Sequence, residues 1–573
     1  MPDAAELRTH FATGALALAV GLLTSAPGGA EPAPVLDAVR PALADTASDS
    51  IRAFVAVHVL PMDGDTALAD HTVLVEGETI VQVAPSGEVA LPGSTEILAR
   101  GPGNWVVPGL TDAHVHLDHD PGSWIDLLLA AGVTTVFNLR GDTADLELRR
   151  RIREGRIAGP TIYSAGGYLD ELEIESAAAA DSVVERQARE GFDLVKIHGP
   201  MPEQALGWVV EAAQRHGLPV VGHVPRNLGL ATALDAGMDM ISHAEEVVYG
   251  GFPELESGRL TEVGRRMVQH GVWLTPNLAG FAGLVRQWGD SGAAAERLER
   301  PEAAYLNRKI RSFWTEGNPY VHRPAGPEVR ERLAEQLRFQ ERLVRTFHEA
   351  GVPMLVGTDA PFPTMYPGFS LHEELAALRA VGLSATDALA AATTRPGEFV
   401  RTRVDADELF GRVRPGYRAD LLLLHADPRE DSATLARPAG VMARGRWLDR
   451  AGLDRRLAAA AEAATSMSGG VALADCVLRA LTGRYVSQAP PFDVRAVVSA
   501  EGGLVVEDAR NPDTRPRYRL IPVDARTFEV RGGPFPLFAV FVEEGDVMEL
   551  RRGGPDGPVF ARLDRRGTGV GDS

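Results

Sequence analysis

The sequence predicts an α/β fold with a (β/α)8 barrel at its centre, on three observations. Between about residues 106 and 405, short apolar runs alternate with longer stretches rich in Ala, Leu, Glu and Arg. That alternation is the pattern of a parallel sheet wrapped by helices, and eight such strands close a barrel. Short β-rich segments flank this region on both sides, and a third β-rich region ends the chain. With 573 residues the chain exceeds one ordinary domain.

Composition excludes several function classes. Apolar residues at 45% and charged residues at 24% fit a globular chain and leave no room for a fibre or a disordered tail-protein. The net charge of -20 repels phosphate backbones and anionic headgroups, so neither a nucleic-acid partner nor stable membrane association is expected. The single cysteine, Cys476, cannot form an internal disulfide or a multi-cysteine metal site, and it reads as a small buried residue. Any metal must therefore be held by His, Asp, Glu or a Lys-derived ligand.

The elements follow in order. Residues 1–30 contain an apolar run from Phe11 to Leu23, then small residues to Ala30, as a signal peptide would. Export to the periplasm or beyond is expected; the alternative is an Ala-rich helical extension of a cytoplasmic protein. A segment over 31–50 precedes the first β-rich stretch, 51–105, where runs 72–76 and 79–83 flank Gly77 as a hairpin. Strand one of the barrel is expected at 105–107, running into Thr111. Further strands are expected at 133–139, 161–165, 194–198, 219–223, 240–243, 272–274 and 354–359. The stretch 277–349 is long for one crossover, and helical parts such as 328–344 suit either a lid near the mouth or a plain surface insertion. A second β segment follows over 406–453, then a helical linker over 454–475. A small antiparallel sheet or barrel is expected over 476–573, with an accessory or packing role.

The chemistry concentrates at strand ends. In the run 107–116, Val-Pro-Gly-Leu-Thr-Asp-Ala-His-Val-His, His114 and His116 fall two residues apart on a strand and project together, as two ligands of one metal would. Lys196, His223, His243 and Asp359 each end another apolar run. In a barrel these ends converge on one mouth, where polar side chains are hard to explain as structure because each is costly to bury unpaired. His198, two residues after Lys196, faces the same way as a substrate contact or a solvated residue. Tyr168 and Tyr249 are candidate pocket-lining residues from loop position alone. His119, His216, His270, His322, His348 and His425 read as ordinary surface or structural residues.

The order of HxH, strand-four Lys, strand-five His, strand-six His and strand-eight Asp resembles the amidohydrolase superfamily. The likeness is strongest to its imidazolonepropionase-like and prolidase-like branch and covers about Ile51 to Leu453. Further marks are the runs 368–375, 391–396 and 411–421. The resemblance implies that the β segments 51–105 and 406–453 pair into one small sandwich beside the barrel of 106–405. It implies a first metal on His114, His116 and Asp359, and a second on His223 and His243. A carbamate on Lys196 would bridge the two; the competing reading of Lys196 is a snorkelling surface lysine. Zn²⁺ is the leading candidate, with Mn²⁺, Co²⁺ and Fe²⁺ as alternatives.

The implied function is hydrolysis of an amide C–N bond, non-ring or peptide-like, by metal-activated hydroxide, with Asp359 moving the proton to the leaving amine. A lactonase or phosphotriesterase-type hydrolase on the same site is one alternative, and a non-catalytic binding protein is another. The expected partner is a small-molecule or peptide-like substrate, with a homo-oligomer allowed. Two departures stand out: His223-Val224-Pro225 where prolidase-like members carry His-x-His, and Gly199-Pro200 where they carry Gly-Gly. Dipeptide specificity does not transfer with the ligands.

Overall fold

The structure is a computed structural model, and it describes residues 51–117, 124–169, 174–315 and 317–466, then 475–488, 491–498, 504–509, 518–522, 526–531, 537–542, 547–552 and 559–566. The signal-peptide reading, His119 and the side chain of Cys476 lie outside the described parts.

The first β-rich stretch forms β1 (Arg52–Val59), β2 (Leu68–Glu76), β3 (Thr79–Pro85), β4 (Glu96–Arg100) and β5 (Trp105–Pro108). β2 and β3 are the hairpin expected at Gly77, which takes a φ of 57° that suits glycine. β1 pairs antiparallel with β2 and parallel with β4 and β5 at its two ends.

The alternating region follows. β6 (Leu110–Val115), β7 (Val133–Asn138) and β8 (Thr161–Ser164) form a three-stranded parallel sheet. β9 (Val195–Ile197), β10 (Val220–Gly222), β11 (Met240–Ser242) and β12 (Trp273–Thr275) form a four-stranded parallel sheet. Parallel bridges link the rest: Ala165 to Leu194, Leu274 to Met354, and Val115 to Ala360. Strand pairing thus passes from β6 to β12, through the segment 354–360, and back to β6. Helices separate the strands, among them Ala177–Glu190, Glu203–His216, Leu230–Ala236 and Leu260–His270. Each of these four ends on a left-handed glycine cap that turns the chain back toward the next strand.

Strand one is a correction. The run 105–108 pairs with the flanking sheet as β5, and the ring begins at β6, after Gly109. A second surprise concerns the insertion. The long helix Pro327–Glu349 packs on the helices Ala244–Gly251, Leu260–His270 and Leu278–Gln287, so it is a layer helix. The extra material is the shorter helical run between 278 and 315.

After the ring the chain returns to the first sheet as β13 (Leu421–Leu424), β14 (Gly440–Ala443) and β15 (Arg446–Asp449). β13 lies antiparallel to β5, giving one eight-stranded sheet in the order β15-β14-β13-β5-β1-β2-β3, with β4 on β1. The flanking segments pair with each other as expected, but in one sheet. A bridge from Thr79 to Arg418 links the start of β3 to the chain entering β13, and Phe54, Val73, Val106, Leu421 and Met442 form the apolar core of this sheet.

The C-terminal region is a closed barrel of β16 (Gly483–Gln488), β17 (Pro491–Val498), β18 (Leu504–Asp508), β19 (Tyr518–Pro522), β20 (Thr527–Arg531), β21 (Leu537–Val542), β22 (Val547–Arg552) and β23 (Val559–Arg566). Each strand is antiparallel to the next, and β23 closes on β16. Tyr485, Phe528, Phe541, Met548 and Leu563 fill its core, joined by Leu478 from the helix Asp475–Ala480. β20 touches the insertion helix Arg308–Thr315. Among the described residues no helix is long and apolar enough to cross a membrane.

Candidate metal centre

The strand ends of the parallel ring carry the polar residues. His114 lies in β6 and His116 one residue past it, their rings 5.3 Å apart. Asp112 fixes this strand against the segment that carries Asp359. Its Oδ1 accepts from the backbone N–H groups of His114 (3.2 Å) and Thr358 (3.0 Å), and its Oδ2 accepts from Thr358 Oγ1 (2.7 Å). Burial nevertheless pushes the Asp112 carboxyl up to about 7. The Asp359 backbone N–H donates to the His114 carbonyl at 2.7 Å, and Asp359 takes a left-handed φ of 59°. That conformation is uncommon outside glycine, and here it turns the carboxylate into the group of imidazoles.

Asp359 is the hub. Its Oδ1 lies 3.1 Å from His114 Nε2 and 3.0 Å from His116 Nε2, and its Oδ2 lies 4.0 Å from His243 Nε2. Burial acts to raise its pKa, but the neighbouring histidines, His114 first, overcome it and hold the carboxyl well below the usual range. His243, also at a positive φ of 69°, follows β11, and its ring lies 4.7 Å from His114 and 4.9 Å from His223. Ligand atoms of His114, His243 and Asp359 lie within 4.8 Å of one another.

Lys196 sits in the middle of β9, in register with Val221, and through it with Met240 and Trp273. Those three belong to the apolar cluster inside the ring, so Lys196 shares its face and is 0% exposed. The snorkelling alternative is thereby overturned. Its Nζ donates to Ser242 Oγ at 3.4 Å. Gly222 makes the room: a Cβ there would lie 1.9 Å from the Ile197 carbonyl oxygen and 2.9 Å from Lys196 Cδ.

The remaining predicted residues join through ring stacking and acid pairs. The His198 ring stacks on Tyr168 at 4.5 Å and leans on His223 at 4.6 Å, and Arg140 lies 4.7 Å above Tyr168. Behind the ligands stand two acids that sequence reasoning missed. Glu246 Oε1 is 3.5 Å from His223 Nδ1 and 2.6 Å from Arg226, while Glu245 Oε1 is 3.8 Å from His243 Nδ1. Such acids orient metal-binding imidazoles. Tyr249 lies beneath the Arg226 guanidinium at 5.1 Å. The missed signal was proximity in sequence: Glu245-Glu246 follow His243 after a single alanine, Ala244.

The electrostatics suit ligation. Burial, reinforced by the Lys196 charge, lowers His114 well below its ordinary value, takes His198 to about 3 and holds His243 at about 4. Burial followed by the charges of His198 and Lys196 does the same for His223. Neutral imidazoles offer lone pairs. The Nδ1 atoms of His114 and His116 are buried without a hydrogen-bond partner. Buried polar atoms left this way are expensive unless a ligand satisfies them. Neutral imidazoles around one ionised carboxylate make a donor set that fits a divalent ion.

A family model described as "Amidohydrolase family" matches residues 105–448. The chain belongs to the amidohydrolase family. Metal-dependent hydrolysis is the general chemistry that comes with it. Among relatives of this amidohydrolase, an uncharacterised protein of Mycobacterium bovis is 28% identical over 379 residues, spanning 60% of this chain and 85% of that protein. Among solved structures, bottromycin amidohydrolase is 25% identical with a TM-score of 0.57, covering 72% of this chain and 90% of that one. A protein of Bifidobacterium longum assigned as a prolidase is 25% identical with a TM-score of 0.54, covering 72% and 99%.

Proposed function

We propose that this amidohydrolase cleaves the C–N bond of an amide in a small or peptide-like substrate, using two divalent ions with Zn²⁺ as first candidate. The observation that carries the reading is the meeting of His114, His116, His223, His243 and Asp359 above a fully buried Lys196. The ring of parallel pairings is read as a (β/α)8 barrel, and these residues as its C-terminal mouth. The names of the similar structures, an amidohydrolase and a prolidase, favour an amide over an ester or phosphotriester.

His114, His116 and Asp359 would hold one ion, and His223 and His243 the other. Lys196 would join them after its neutral amine adds to carbon dioxide, forming an N–C bond and releasing one proton. Bound divalent ions would supply Lewis acidity and a lowered pKa for water. The chain's own residues do the rest. Glu246 and Glu245 stand behind the rings of His223 and His243, 3.5 and 3.8 Å from their Nδ1 atoms, where such acids would orient the imidazoles once a metal is bound. Asp359, ionised, accepts a proton at Oδ2 and returns it to the leaving nitrogen. The apolar floor of Leu194, Val221, Met240 and Trp273 keeps bulk water from beneath Lys196.

One observation favours a second reading. Of the ligand candidates, only His114, His243 and Asp359 form a compact metal-sized group among the described residues, which suits a single ion. Elemental mass spectrometry of protein purified without chelator separates the two. About two ions per chain supports the paired site. One ion supports the single-ion form and removes the bridging role of Lys196. No ion, even after supply of Zn²⁺ and bicarbonate, overturns both. Turnover on matched amide, lactone and phosphotriester panels then tests the bond.

A further inference from the structure

Asn277 stands just past the end of β12, the ring strand to which neither the sequence nor the family likeness gives a ligand. It occupies the residue before the helix Leu278–Gln287, where an asparagine side chain ordinarily accepts from the first free N–H groups of the helix. Here it makes no such bond. Glu374 has taken that work: its carboxylate accepts from Leu278 N at 3.0 Å and Ala279 N at 2.7 Å. The carboxamide of Asn277 is thereby released, yet it stays 2% exposed with both Oδ1 and Nδ2 lacking a partner. Unsatisfied buried amides are rare because nothing replaces the lost water.

The carboxamide and His114 both flank Gly357: a Cβ on this glycine would lie 2.7 Å from His114 Cβ and 3.5 Å from Asn277 Nδ2. His114 presents Nε2 to Asp359 at 3.1 Å, and its Nδ1 is buried without a partner. An imidazole that ligates through Nε2 carries its proton on Nδ1 and needs an acceptor there. Exchanging the oxygen and nitrogen of an amide is a rotation that leaves its shape unchanged.

We propose that Asn277 is a positioning residue for His114, its carboxamide oxygen accepting from His114 Nδ1–H when Nε2 binds a metal ion. The inference rests on the metal-site reading above. The left-handed φ of 53° at Asn277 decides how to test it, because alanine would strain the backbone where glycine does not.

Apo-protein is titrated with Zn²⁺ against a chromophoric chelator for the parent, Asn277→Gly and Asn277→Asp, with circular dichroism and thermal melting confirming the fold. Asn277→Gly is expected to bind the ion roughly 10–100-fold more weakly, the scale set by losing an outer hydrogen bond to a metal-binding histidine. Asn277→Asp, which keeps an acceptor, is expected to stay within about threefold of the parent on the same scale. KM for an amide substrate is expected to stay unchanged in both. Two results overturn the inference while sparing the metal-site reading. One is a glycine variant that binds Zn²⁺ as tightly as the parent, with or without a rise in KM. The other is a folded aspartate variant that loses as much affinity as the glycine. A parent that binds no metal overturns both.

Discussion

The parallel ring and the C-terminal antiparallel barrel build circular arrangements of strands from similar material, and they differ in what the strand ends can do. In the ring all strands run one way, so every C-terminal end emerges on one side, and His116, His223, His243, Asn277 and Asp359 meet there. In the C-terminal barrel neighbours alternate in direction, so each rim receives a mixture of beginnings and ends. Its interior is closed by Tyr485, Phe528 and Phe541, whose rings touch at 5.5–5.7 Å. Its buried acids are already paired, Glu507 with Arg495 at 2.5 Å and Glu549 with Arg551 at 2.6 Å. Closure by itself therefore makes a stable body. A site arises where parallel strands bring several polar ends together and leave their atoms for a ligand.

The sharpest way to break this contrast is at the hub of the mouth. Asp359→Asn is expected to lower kcat by roughly 10²–10⁴-fold, the range for loss of an acid–base group. Steady-state kinetics on an amide substrate check it. Activity within tenfold of the parent would remove Asp359 from proton transfer and leave the mouth no more reactive than the other barrel.

The complementary change is in the C-terminal core. Phe528→Ala empties a fully buried position and is expected to destabilise its barrel by about 3–5 kcal/mol. Bound metal per chain is expected to stay at the parent value. Denaturant unfolding and elemental analysis of the same preparation read the two effects. Loss of metal would show instead that the barrel supports the mouth through the helix Arg308–Thr315 that β20 touches.

A smaller effect concerns the acid behind Asn277. Burial raises Glu374 from an ordinary 4.5 to about 7. The folded state therefore keeps a proton that the unfolded chain releases. The stabilisation is complete below about pH 4.5 and is lost as pH rises through about 7, roughly 3 kcal/mol in all. Thermal melting between these limits is expected to show a downward slope with pH that Glu374→Gln flattens. An unchanged slope in the variant would move the titration to another group, Asp112 being the nearest with the same tendency.

Much of the site was legible because its residues end apolar runs. Lys196, His223, His243 and Asp359 each interrupt a buried strand with a polar group, and a one-dimensional pattern records that interruption. Asn277 carries a similar signal, at the end of Trp273-Leu274-Thr275-Pro276, but an asparagine before a helix is also an ordinary cap, so the pattern alone does not single it out. The cap was supplied instead by Glu374, nearly a hundred positions later, which no local pattern can anticipate. The assignment of 105–108 to the barrel failed for a similar reason. A short apolar strand does not say which neighbour it will pair with, and β13, about 300 residues on, claimed it.

The sequence by itself determined the alternation of strand and helix, the family, and which residues could ligate, because periodicity and side-chain chemistry are local properties. Only the tertiary structure decided which of them meet. It turned Asp359 and His243 into left-handed conformations so that their side chains converge, used the absence of a Cβ at Gly222 and Gly357 to admit Lys196 beside β10 and His114 beside Asn277, and set Glu245 and Glu246 behind the imidazoles. Distances of three to five ångströms between residues far apart in sequence follow from how the whole chain packs.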